Sequence, residues 1–126
     1  MKLRRRQQGF MLLEVTLATM LLAIGLFTML EGLSRCVAAA RAVQNQALAA
    51  NLLANKSYEF RLERPTDYAD LSGTFDDYPT FTWARTMETT ETEGLYRQTI
   101  AVYWSERGRL TFDALTEYRY LPTKEQ

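Results

Sequence analysis

Histidine is absent from all 126 residues. With it go His-dependent catalytic triads, most acid–base pairs that work near neutral pH, and the commonest transition-metal ligand. The carboxylates and hydroxyls that remain are scattered and form no catalytic constellation, so neither an enzyme nor a cofactor is expected. A single cysteine, Cys36, cannot close an intramolecular disulfide, and its place on an alanine-rich stretch leads us to expect a buried, inert thiol. Proline is missing until Pro65, which leaves a long stretch free of helix breakers. Net charge is missing too, since fifteen bases balance fifteen acids. Four of the bases are Lys2, Arg4, Arg5 and Arg6, so the chain after Gly9 holds eleven bases against fifteen acids, a formal −4. That balance argues against nucleic-acid binding.

What is present is organised around residues 9–33, GFMLLEVTLATMLLAIGLFTMLEGL. From Phe10 to Leu30 the only charge is Glu14, and about 20 apolar residues suffice for a helix to cross a bilayer core. Within such a span a carboxylate costs on the order of 2.5–3.5 kcal/mol and needs a partner. The basic head before it, with no acid, is expected to stay on the cytoplasmic side and to send everything after Leu33 across the membrane. A secretory signal has a shorter apolar region of about 7–15 residues. Val37-Ala38-Ala39-Ala40 nevertheless offers a small-residue cleavage site. A lipoprotein reading of Leu33-Ser34-Arg35-Cys36 is opposed by Arg35, where a small residue is wanted.

Gly9-Phe10-Met11-Leu12-Leu13-Glu14-Val15 resembles the leader junction and helix start of type IV pilins and type II secretion pseudopilins. The resemblance implies cleavage between Gly9 and Phe10 by a membrane-embedded prepilin peptidase, N-methylation of Phe10, and an assembly role for Glu14. Met11 departs from the threonine usual after the phenylalanine and leaves the three key positions in place. Independently of the family, a cut before Phe10 creates an α-amino group with a pKa of about 7.7–8.0, cationic at the edge of the apolar phase. It can answer Glu14 within its own chain at i,i+4 spacing or on a neighbour, and the helix dipole favours an acid there. The competing reading is a Glu14 that snorkels to the interface.

Beyond the span, Leu48, Leu52, Asn55 and Leu62, begun by Leu33, Val37 and Ala40, suggest one helical face. The pattern predicts a nearly continuous helix from Phe10 to about Leu62, stopped before Pro65. Residues 66–79 read as a loop. Asp67, Asp70, Asp76 and Asp77 there lack the spacing of a known calcium loop and read first as a solvated connector, with calcium left as the alternative.

From Thr80 the period becomes two. Phe81, Trp83 and Met87 mark the apolar side of a first strand, with Arg85 as the exception; Tyr96, Ile100, Val102 and Trp104 mark a second. Leu110, Phe112, Ala114, Tyr118 and Tyr120 mark a third, which ends at Pro122. The tryptophans and tyrosines, candidates for a sugar- or base-stacking platform, are expected to be core because of this alternation.

The expected fold is α+β, a long N-terminal helix packed on a small three-stranded antiparallel sheet. Its parts are a leader at 1–9, a transmembrane and assembly helix at 10–33, an amphipathic continuation at 34–62, and a loop and sheet at 63–126. This layout, without the C-terminal disulfide loop of many pilins, is similar to the minor pseudopilins, most of all the I-type. The resemblance implies a low-copy filament-tip subunit in the inner membrane, with its C-terminal domain periplasmic and with major and other minor pseudopilins as partners. A minor pilin that primes type IV pilus assembly and a membrane-anchored ligand-binding module are the alternatives.

Overall fold

The computed structural model describes the backbone of residues 3–63 and 69–121, with side chains from Gly9 onward. Lys2, Arg4, Arg5, Arg6, Pro65, Asp67 and the tail from Pro122 lie outside the side chains described. One helix, α1, runs over Leu3–Leu62. The chain divides into two compact units, Met1–Arg41 and Ala42–Gln126.

In the first unit α1 runs without a strand beside it. A lone helix has no interior, and its residues from Gly9 to Val37 are all exposed. Cys36 is therefore exposed, not buried as the alanine-rich setting suggested.

In the second unit the end of α1 packs on a sheet of four antiparallel strands, ordered β1-β2-β3-β4. They are β1 Leu71–Thr74, β2 Thr82–Thr89, β3 Leu95–Glu106 and β4 Arg109–Tyr120. The expected sheet had three strands. The extra one, β1, lies in the stretch read as loop, because LSGT is too short to show an alternating pattern. It becomes a strand by pairing with β2, which sets Gly73 opposite Trp83. A Cβ on Gly73 would come within 2.9 Å of the Trp83 ring, so the indole occupies the space a side chain would take.

The core joins Ala49, Leu52, Leu53 and Phe60 of α1 to Phe81, Ile100, Val102 and Trp104. Its aromatic members meet edge-on between Phe60 and Trp83 at 5.5 Å, and stacked between Phe81 and Trp104 at 5.9 Å. The buried helix face differs from the expected stripe: Asn55 and Leu62 are exposed, while Ser57 and Phe60 are buried. At about 100° per residue the face is centred near Ala49 and Lys56, and Leu48 marks only its edge. Of the expected stripe, Leu52 is core; following leucines alone otherwise traced the margin, because Ala49, Lys56 and Phe60 make up the middle.

The largest departure is in β4. Its register with β3 sets Ile100 beside Leu115, Val102 beside Asp113 and Gln98 beside Glu117. Ile100, Val102 and Gln98 are fully buried, so the odd-numbered residues of β4 share the helix-facing side. The expected apolar face, Leu110 to Tyr120 at even positions, points the other way: Leu110 is 73%, Phe112 62%, Tyr118 64% and Tyr120 67% exposed. The β3–β4 hairpin turns through Arg107 and Gly108, both at positive φ (51° and 74°), as a two-residue turn of the right-handed twist demands.

Charged side chains on the helix-facing side of β4 fasten the end of α1. Ser57 Oγ donates to Glu117 Oε1 at 2.7 Å and Arg61 Nη2 donates to the same oxygen at 2.5 Å. Arg119 Nη1 donates to the Phe60 carbonyl at 2.6 Å and to Gln98 Oε1 at 3.4 Å, and its Nη2 reaches the Glu63 carbonyl at 3.5 Å. Helix ends leave their last carbonyls without intrahelical donors, and Arg119 serves as a cap drawn from a distant strand. With its charged side inward, β4 brings Glu117 and Arg119 to the end of the helix.

Candidate functional site

The residues singled out by sequence, Gly9, Phe10 and Glu14, lie together on one unbroken stretch of α1. Around them the segment is apolar on every side. Leu12, Leu17, Leu21, Leu26 and Leu30 are all exposed although they point in different directions around the axis. Such a helix, apolar all round and covering nothing, suits a surrounding apolar phase, and α1 is long and apolar enough to cross a membrane.

Its polar groups other than Glu14 are satisfied inside the helix. Thr16 Oγ1 donates to the carbonyls of Leu12 (3.0 Å) and Leu13 (2.8 Å). Thr19 Oγ1 donates to Val15 (3.0 Å) and Thr16 (2.9 Å), and Thr28 Oγ1 to Gly25 (2.9 Å). This is how hydroxyls are carried where no water is available.

Glu14 is the exception: among the described residues it has neither a hydrogen bond nor an ion pair. A second carboxylate on the same helix shows what it lacks. Glu31, just past the apolar run, accepts from Arg35 Nη2 at 2.5 Å with i,i+4 spacing. Glu14 has Leu17 and Ala18 ahead of it and Phe10 and Met11 behind, so no side chain within reach along the helix is a cation.

In the second unit, the tryptophans offered as a stacking platform are interior: Trp104 is buried and Trp83 partly buried. Lys56 Nζ lies 4.3 Å from the Trp83 ring centroid. Arg85, the exception in the β2 pattern, is buried, with its guanidinium carbon 4.8 Å from the Phe60 ring centroid and Nη2 donating to the Ala69 carbonyl at 3.1 Å. Stacking on an aromatic face and a carbonyl acceptor let a guanidinium lie inside a small core.

Of the acidic loop, Asp70 accepts from the Met87 amide at 3.3 Å, and the described residues hold no group of three or more potential metal ligands. An open cleft of about 490 Å³ lies by the β2–β3 turn, lined by Thr89, Thr90, Glu91, Thr92, Leu95, Arg97 and Tyr118. Glu88 engages Arg97 through Nε at 3.0 Å and through Nη2.

Ion pairing shifts Glu117, Arg61 and Arg97. Arg61 holds the Glu117 carboxyl below its usual range, against the opposing effect of partial burial and with help from the Ser57 hydroxyl. Glu117 and Glu88 raise Arg61 and Arg97 respectively. The Ser57–Glu117–Arg61 cluster, invisible in sequence because its members are 60 and 56 positions apart, is structural.

Compared with known proteins, the chain matches no family model, no curated protein and no solved structure.

Proposed function

We propose that the chain is a structural subunit of a membrane-anchored filament, most like an I-type minor pseudopilin of a type II secretion system. In this reading prepilin peptidase removes residues 1–9 on the cytoplasmic side and Phe10 becomes the methylated amino terminus. The helix anchors the subunit in the inner membrane, and the sheet lies in the periplasm. Major and other minor pseudopilins are its partners.

The observation that carries the proposal is Glu14, a lone acid in an apolar helix with no cation at any neighbouring turn. The one group that supplies a cation at the right spacing is the α-amino group created at Phe10 by cleavage. In a filament the same amine can pair with the Glu14 of an adjoining subunit, so one acid serves both for insertion and for register between subunits. The chain holds no histidine, which suits a structural part better than a catalyst that works near neutral pH.

The test is mass spectrometry of the chain produced with and without prepilin peptidase, joined to incorporation of Glu14→Ala into the assembly. A mature chain that starts at N-methyl-Phe10, and an alanine variant that inserts in the membrane but is excluded from filaments, are the expected results. Retention of Met1 to Gly9 in assembled material would sink the reading. An uncut chain that never assembles would favour a tethered binding module, for which the exposed Tyr118 in the cleft speaks.

A further inference from the structure

The face of the sheet turned away from α1 has a regular relief. A threonine rung (Thr86, Thr99, Thr116) and an alanine rung (Ala84, Ala101, Ala114) cross its centre. Tyr118 and Tyr120 stand to one side of that low band, Phe112 and Leu110 to the other, all exposed. A strand at the edge of a sheet ordinarily turns polar groups outward, and β4 does the reverse. An exposed apolar row of this kind marks an interaction surface.

Charge is divided along the same axis. Glu91 and Glu93 sit at the β2–β3 turn beside the tyrosine end; at the β3–β4 turn, beside Phe112 and Leu110, Arg107 and Arg109 outnumber Glu106, which stands opposite Arg109 across the hairpin on its helix-facing side. Glu91, Glu93, Arg107 and Arg109 are exposed and none forms an ion pair among the described residues. Among the described residues of the face, the ionic pair Arg97 with Glu88 is already neutralised.

We infer that this face is covered by a second copy of the chain, stacked sheet on sheet with its strands reversed, the two-fold axis passing over the threonine and alanine rungs. Reversal sets Tyr118 and Tyr120 of each copy against Phe112 and Leu110 of the other. It also sets each acidic turn on a basic one, twice over by symmetry. Stacking with the strands in the same direction would oppose acid to acid and base to base.

Four large side chains, each with roughly 100–150 Å² to bury on the scale of an aromatic residue, supply about 500 Å². With the low band between them the contact approaches the ~800 Å² per partner of a standard stable interface. Small residues at the centre let the two sheets approach there. Pairing through the free edge of β4 is disfavoured instead, because Asp113, Glu117 and Arg119 line its helix-facing flank. The contact is isologous and closes as a dimer. It goes beyond the filament reading and does not depend on cleavage at Gly9.

Sedimentation equilibrium of the full chain in density-matched detergent micelles tests this. The wild type is expected to be a dimer, and Phe112→Ser with Tyr118→Ser a monomer of unchanged circular dichroism. Glu91→Arg with Glu93→Arg, or Arg107→Glu with Arg109→Glu, should each weaken the dimer about tenfold, and the four together should restore it. These charge swaps lie on exposed turns and carry the test should the serine variant unfold. A monomeric wild type overturns the inference, as does a dimer that ignores the swaps or one that the combined swap fails to restore.

Discussion

Leu21 and Tyr58 lie on the same helix and expose the same 63% of their surface, yet they belong to different environments. Around Leu21 every direction is apolar and no element of its unit covers the helix. Around Tyr58 the exposed side carries Asn55, Glu59 and Arg61, while the opposite side holds Leu53, Ser57 and Phe60 against the sheet. Equal exposure thus means two things: in one half the exposed groups are apolar on every side, as suits a helix able to cross a membrane, and in the other they are polar groups that water can serve. Surface area alone does not separate a membrane segment from an amphipathic one; the distribution of polarity around the axis does.

The strongest way to break the comparison is to remove the core of one half. Phe60 contacts Trp83 edge-on and lies under Arg85, so Phe60→Ala is expected to cost the second unit about 3–5 kcal/mol. Denaturant unfolding of the chain in micelles, followed by tryptophan fluorescence, reads this directly, because Trp83 and Trp104 report only on the second unit. The helical circular dichroism of the apolar half should survive the transition. Its loss along with the fluorescence change would show that the apolar half does not stand by its medium alone.

A sharper version of the same comparison replaces the two equally exposed residues by the same cation. Leu21→Arg places a charge near the middle of the apolar run and is expected to cost on the order of 2.5–3.5 kcal/mol of insertion. Tyr58→Arg adds a charge to a face that already has several and should stay within about 0.5 kcal/mol of the wild type. Membrane fractionation of the pair decides. Equal partitioning of both variants would mean that the apolar half is not inserted.

What was legible in the sequence followed from long patterns. A twenty-one-residue run with a single acid announces itself, the helix ends at Leu62 as Pro65 required, and β2 and β3 appear where the period becomes two. What was not legible depended on partners distant in the chain. β1 has no pattern of its own and exists because Gly73 admits the Trp83 ring. In β4 both faces alternate cleanly, and the rule that sends the apolar face inward chose the wrong one, since Arg119 and Glu117 were needed at the helix end. Arg85 looked like an interruption and is a buried member of the core-facing row. For the candidate site the residue types were enough to single out Glu14. Its lack of a cation along the helix follows from spacing alone, whereas the threonine hydroxyls turned onto the helix carbonyls leave no mark in the residue pattern.

The smallest expected effect concerns the ionic fastening that replaces apolar burial along β4. Arg61 holds Glu117 below its ordinary carboxylate range. A carboxyl depressed on folding contributes stability that is complete above its unfolded value near 4.3, and loses it as pH falls through the lower folded value. Because the Arg61 partner is solvent-exposed and screened, the contribution is under about 1 kcal/mol. Glu117→Gln should therefore flatten the decline in stability of the second unit below about pH 4.3, while the neutral amide keeps an acceptor for the Ser57 hydroxyl. The apolar half of α1 has no ionic fastening of this kind, so its helicity in micelles should be indifferent to the substitution across the same pH range. Thermal unfolding monitored by fluorescence from pH 3 to 7 separates the outcomes. An acid limb as steep in the glutamine variant as in the wild type would assign the loss to other carboxylates of the sheet and leave the end of α1 fastened to β4 by Arg119 rather than by Glu117.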